Sequence, residues 1–149
     1  MNTNFFKVAA FYAFAELKNI EELQMTFTKF LQKESIKGTV LLAQEGVNGT
    51  VAGTEAGIEE FKNFLQSQDL YVPQNFKTSS CIDDPFPRLK VKLKNEIVSI
   101  GNNLADPSKI VGKYVQPEDW NHLISQEDVL VLDTRNTYEV SIGTFEKSV

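Results

Sequence analysis

Over the first eighty residues the apolar pattern switches between a period of two and a period of about 3.6 in a set order, which leaves few folds open. Residues 7–14 (KVAAFYAF) are a short apolar and aromatic run and read as a buried strand. Asn19 then offers a side-chain oxygen as a helix cap, with Glu22 three residues on as in a capping box. Ile20, Leu23, Phe27, Phe30 and Leu31 follow at helical spacing, and Gly38 stands where a stop is expected. Residues 39–43 (TVLLA) read as a second strand, residues 44–49 (QEGVNG) as a turn, and residues 50–52 as a third strand completing a hairpin. Thr54 caps a second helix with an apolar stripe of Ile58, Phe61 and Leu65 beside Phe64. Pro73 marks its exit, and residues 76–80 are a weaker strand.

The order strand, helix, strand, strand, helix, strand predicts an α+β, ferredoxin-like domain: an antiparallel sheet with two helices on one face. After the break at residues 83–87 (DDPFP), residues 89–94 and 96–100 alternate strictly and predict an extra β-hairpin around Lys94 and Asn95. Domain boundaries follow: residues 1–100 as the ferredoxin-like domain with its extra hairpin, 101–115 as a linker rich in turn residues, and 116–149 as the start of a second, α/β domain. In that last segment residues 118–124 suit a short helix. Residues 129–133 (VLVLD) form a continuous apolar run that suits a parallel strand covered on both faces.

Charge is distributed unevenly. The chain is acidic, with a formal net charge of −5, yet residues 76–94 hold Lys77, Arg88, Lys90, Lys92 and Lys94 against only Asp83 and Asp84. Arg88, Lys90, Lys92 and Lys94 share parity, so in a strand they point to one face, about 6.6–6.8 Å apart, and Leu89, Val91 and Leu93 point to the other. Four cations in line match a polyanion and predict salt-sensitive RNA binding. The competing reading is that lysines guard a strand edge or keep a face wet.

Other chemistry is sparse. The lone His122 and the lone Cys81 do not make a metal site, and no metal is expected. Cys81 cannot form an internal disulfide, and Asp83 and Asp84 beside it are a poor setting for a reactive thiolate. No stretch approaches the roughly 20 apolar residues of a membrane span, and the N-terminus lacks a secretory layout, so a cytoplasmic protein is expected. Asp133, Arg135 and Glu139 follow the apolar run; Arg135 and Glu139 read either as ligand contacts at a strand end or as an i,i+4 pair. An acylphosphatase-like enzyme shares the strand order but needs an Arg in the loop after the first strand, and the first Arg here is Arg88.

Two stretches go beyond generic patterning. Residues 41–53 (LLAQEGVNGTVAG) resemble the signature hairpin of the rhodanese-domain tRNA uridine hydroxylases. Residues 129–139 (VLVLDTRNTYE), with Gly143 and Phe145, resemble the first rhodanese motif, an apolar strand followed by Asp-x-Arg and then Tyr-Glu. Thr144 stands where that motif usually has His. The resemblance implies a tRNA wobble-uridine 5-hydroxylase, an oxidoreductase that uses molecular oxygen as co-substrate, with no further cofactor. It implies that this chain is the N-terminal, tRNA-binding portion, followed by the opening segment of a rhodanese domain. The family's active cysteine lies in a later loop that Cys81 does not match, so no catalytic residue carries over and the 149-residue chain is expected to be inactive alone. Glu45, Asn48, Asp133, Arg135 and Glu139 carry over as motif positions. Two alternatives stay open: part of a rhodanese-type sulfurtransferase, and a non-catalytic protein-binding module.

Overall fold

Nine residues, Phe6–Phe14, form β1 and alternate between a buried face (Ala9, Phe11, Ala13) and an opposite one (Val8, Ala10, Tyr12, Phe14). In the computed structural model, which describes residues 5–97 and 112–149, the chain continues through α1 (Ile20–Lys33), β2 (Lys37–Ala43), β3 (Gly46–Gly53), α2 (Glu55–Ser67), β4 (Phe76–Cys81) and β5 (Leu89–Leu93). The strands form one sheet in the order β4-β1-β3-β2-β5. The first four pair antiparallel, the ferredoxin-like arrangement expected from the order of elements. Phe27 and Leu31 of α1 and Ile58, Phe61 and Leu65 of α2 pack with Ala9, Phe11, Val40, Leu42, Val47 and Val51 in one core, so both helices cover the same face of the sheet. Phe61 is at its centre, 5.0 Å from the Phe11 ring and 6.3 Å from the Phe27 ring, both edge-on.

The two helices start differently. Thr54 caps α2 as expected, its Oγ1 accepting the Gly57 N–H at 3.0 Å. Asn19 does not cap α1 with its side chain. Its backbone is left-handed (φ 52°), which turns the side chain away from the first-turn amides, and the expected capping box with Glu22 is absent.

Both helices end alike, on residues other than glycine. Ser35 (φ 55°) and Asp69 (φ 57°) adopt the left-handed conformation. The next N–H reaches back to the helix, Ile36 to Leu31 O and Leu70 to Leu65 O, each at 2.8 Å. The apolar residues that follow, Ile36 and Leu70, are buried and lock the exits. Gly38 is therefore not the stop of α1. It lies inside β2 at φ +130°, where a Cβ would come within 2.3 Å of Thr50 O. Only glycine lets β3 approach so closely.

The hairpin turn is tighter than residues 44–49. Gln44 and Glu45 alone connect β2 to β3, with Ala43 opposite Gly46. Gly46 has φ +148°, and a Cβ there would lie 2.1 Å from Ala13 O. The turn carbonyls accept the chain leaving β1, Glu45 O from Ala15 N–H (3.1 Å) and Gln44 O from Leu17 N–H (2.8 Å).

The first arm of the expected extra hairpin forms as β5, which joins the sheet edge parallel to β2, from Gly38 opposite Leu89 to Leu42 opposite Leu93. Glu96 and Ile97 are not in a strand, and residues 98–100 of the expected hairpin lie outside the described residues. β2 had a free edge and α1 an uncovered flank, and Leu89, Val91 and Leu93 fill both by packing on the core.

The chain divides into two units, Met1–Val111 and Gly112–Val149. The second holds α3 (Pro117–Ile124), matching the expected helix, and the single turn α4 (Thr137–Val140). Residues 129–133 are not a strand. Apart from a turn bond from Val129 N–H to Gln126 O (3.3 Å), their backbone partner among the described residues is Val149: Asp133 N–H donates to Val149 O (2.9 Å) and Val149 N–H to Val131 O (3.0 Å). A strand needs a ladder of partners, and one facing residue does not make one. Leu130 and Leu132 stay exposed.

Candidate nucleic-acid interface

The basic row is built on the edge strand β5. Leu89, Val91 and Leu93 turn to the core, which sends Lys90 and Lys92 to the face opposite α1 and α2; Arg88 and Lys94 flank the strand at the same parity. Three hydrogen bonds hold the strand in register: Gly38 N–H to Arg88 O (3.2 Å), Lys94 N–H to Leu42 O (2.8 Å) and Gln24 Nε2 to Val91 O (2.8 Å). Arg88, Lys92 and Lys94 are exposed and Lys90 is half-buried. None of the four forms an ion pair among the described residues; the cation that does so nearby is Lys37, at 2.6 Å from Asp84. That contact, with the Phe86 N–H, holds the Asp84 carboxyl below its ordinary range.

Strand pairing extends this face beyond what parity alone could show. Lys90 stands beside Thr39 on β2, which faces Thr50 on β3, Ala10 on β1 and Lys77 on β4. The neighbouring row runs Lys92, Leu41, Asn48, Tyr12. Lys77, Thr39, Thr50 and Tyr12 were missed as site residues because they are distant in sequence, and no local pattern links them. Asn48 is thus a half-buried residue at the centre of this face. Glu45 is not on it: its carboxylate accepts the Ile97 N–H at 2.5 Å and ties the chain after β5 to the hairpin turn.

The second unit holds the other motif residues. Asp133 accepts from Arg135 Nη2 (2.7 Å), Arg135 Nε (3.0 Å), the Arg135 N–H (3.1 Å) and Thr144 Oγ1 (2.6 Å). Arg135, foremost among these donors, holds the Asp133 carboxyl well below the usual carboxylate range. Arg135 Nη2 also donates to Gly143 O at 2.7 Å. Its guanidinium is therefore engaged by Asp133 rather than by Glu139, and the i,i+4 reading gives way. Glu139 instead accepts from Asn136 Nδ2 (2.8 Å) and the Asn136 N–H (3.1 Å), closing the first turn of α4. Thr144, in the position usual for His, serves as a donor to Asp133. His122 is exposed on α3, and the Cys81 Sγ lies 3.2 Å from Asp83 O, so neither has a catalytic neighbour among the described residues.

Residues 6–97 match the family model described as the UPF0176 acylphosphatase-like domain. The chain belongs to that family. It is 49% identical over 144 residues to the tRNA uridine(34) hydroxylase of Bartonella quintana, covering 97% of this chain and 47% of that protein. The tRNA uridine(34) hydroxylase of Agrobacterium fabrum is also 49% identical, with 97% and 46% covered. The chain thus spans about half the length of the curated relatives it matches. An acylphosphatase from Coxiella burnetii aligns with a TM-score of 0.45 at 12% identity, over 60% of this chain and 94% of that one. Among the described residues no helix is long and apolar enough to cross a membrane.

Proposed function

We propose that the chain is the N-terminal, tRNA-binding portion of a cytoplasmic tRNA wobble-uridine 5-hydroxylase, with molecular oxygen as co-substrate. In this reading residues 116–149 open a rhodanese domain, and this chain contributes substrate binding but no catalytic residue. The relatives' names support the substrate class. The observation that carries the binding role is the row Arg88, Lys90, Lys92 and Lys94, at one parity and outside any ion pair among the described residues, in a chain of net charge −5. In an acidic protein, such a row with no ion pair among the described residues presents a local field suited to a polyanion.

The test is a tRNA titration of the chain at several salt concentrations. Binding should weaken steeply with salt, and each of Arg88→Glu and Lys92→Glu should lower affinity and flatten the salt slope by at least about 0.7–0.9. Binding that is absent or indifferent to salt, with both changes harmless, overturns the reading. The second reading, a rhodanese-type sulfurtransferase, is favoured by the Asp133–Arg135 lock. Sulfur transfer from thiosulfate to cyanide by a longer protein that carries the rhodanese cysteine loop would select it.

A further inference from the structure

The face of the sheet opposite α1 and α2 carries more than cations. Tyr12 and Phe14, two residues apart on β1, stand on it with their rings 5.9 Å apart at 64°, both half-buried. Between the cationic edges lie Thr39, Thr50 and Asn48, all half-buried, and Ala10, exposed on an interior strand. Lys77, exposed on β4, closes the far side. From Lys90 to Lys77 the face crosses four inter-strand gaps, about 19 Å at roughly 4.8 Å each.

We propose that an unpaired stretch of RNA crosses this face from β5 to β4. Its phosphates meet the β5 row at one side and Lys77 at the other. Its bases stack on Tyr12 and Phe14, and Thr39, Thr50 and Asn48 offer hydrogen bonds to base edges and ribose hydroxyls. The proposal rests on the RNA-binding reading above and adds which form of RNA is bound and by which surface. Charge complementarity selects the occupant: Lys77, Arg88, Lys90, Lys92 and Lys94 form no ion pair among the described residues, whereas Lys37 at the start of β2 is matched by Asp84. An acidic protein segment would satisfy the cations but has no use for a paired aromatic platform between them. A duplex cannot use that platform either, because its bases are already stacked; single strands can.

The experiment is fluorescence anisotropy with the 149-residue chain, a labelled single-stranded RNA decamer, a duplex of the same sequence, and polyglutamate as competitor. The expected result is tighter binding of the single strand, weakened roughly 5- to 150-fold by Tyr12→Ala or Phe14→Ala, the range set by loss of one stacked base. Tyr12→Phe should retain affinity. Lys77→Gln, at an exposed position whose change leaves the core intact, should reduce the salt slope by about 0.7. If Arg88→Glu and Lys92→Glu weaken binding but Tyr12→Ala, Phe14→Ala and Lys77→Gln do not, the platform is refuted and the basic-row reading stands. Equal affinity for duplex and single strand, or displacement by polyglutamate at matched charge, also refutes the platform. If no change affects binding, both readings fail.

Discussion

Replacing Gly38 by Ala tests how the sheet holds the basic strand in place. Two separate penalties meet at this position. The backbone sits at φ +130°, where an L side chain is strained by about 1–3 kcal/mol. The new Cβ would also lie 2.3 Å from Thr50 O and 2.6 Å from Val51 Cα, both backbone atoms of β3 that no rotamer change can move. Relief requires β2 and β3 to separate, an overpacking cost of about 1–3 kcal/mol. The sum is about 2–6 kcal/mol, and at roughly 4–8 °C per kcal/mol for a domain this size the melting temperature should fall by at least about 8 °C. The damage should also reach the interface, because the Gly38 N–H donates to Arg88 O and starts the β2–β5 ladder. Thermal unfolding followed by far-UV circular dichroism measures the first effect, and hydrogen exchange at the Gly38 and Lys94 amides the second. Gly143→Ala is the control, since a Cβ there meets nothing within 4 Å. A Gly38→Ala protein that melts within about 2 °C of the parent would refute the close-approach argument; an ordinary surface change costs about 0.5 kcal/mol or less.

Two further outcomes follow from local hydrogen bonds. Thr54→Ala removes the acceptor of the Gly57 N–H and should destabilise the first unit by about 1 kcal/mol, read as a lower urea midpoint with unchanged slope; an unaltered midpoint counts against the cap. Asp133 should titrate below the ordinary Asp value of about 3.9, so its contacts contribute above that pH and are lost as pH falls through the lower folded-state value. Carbon-detected NMR should show this low midpoint, and Thr144→Val should raise it by removing one donor; a midpoint at or above 3.9 contradicts the geometry.

Much of the first unit was legible in the chain because its signals are local. The stripe Ile58, Phe61, Leu65 and the run in residues 7–14 report which residues of one element share a face, and all of those stripe residues are buried. The parity of Arg88, Lys90, Lys92 and Lys94 is a signal of the same kind. Misreadings arose where a residue type has several uses. Gly38 looked like a helix stop and is a point of inter-strand contact, and the stop falls to Ser35, whose left-handed backbone no residue type announced. Asn19 looked like a side-chain cap and holds the cap position through its backbone alone, its carbonyl accepting the Leu23 N–H. Residues 129–133 have the composition of a buried strand without a ladder to join.

Periodicity alone was enough to establish the order of elements and the one-sidedness of the cations, since both depend on neighbours a few residues apart. Which edges meet was settled in three dimensions. β5 lies along β2, because an open strand edge and an uncovered stretch of α1 were both within reach. That long-range pairing puts Lys90 and Lys77 on one surface with Tyr12 between them. Contacts between residues dozens of positions apart leave no periodic trace in a single sequence.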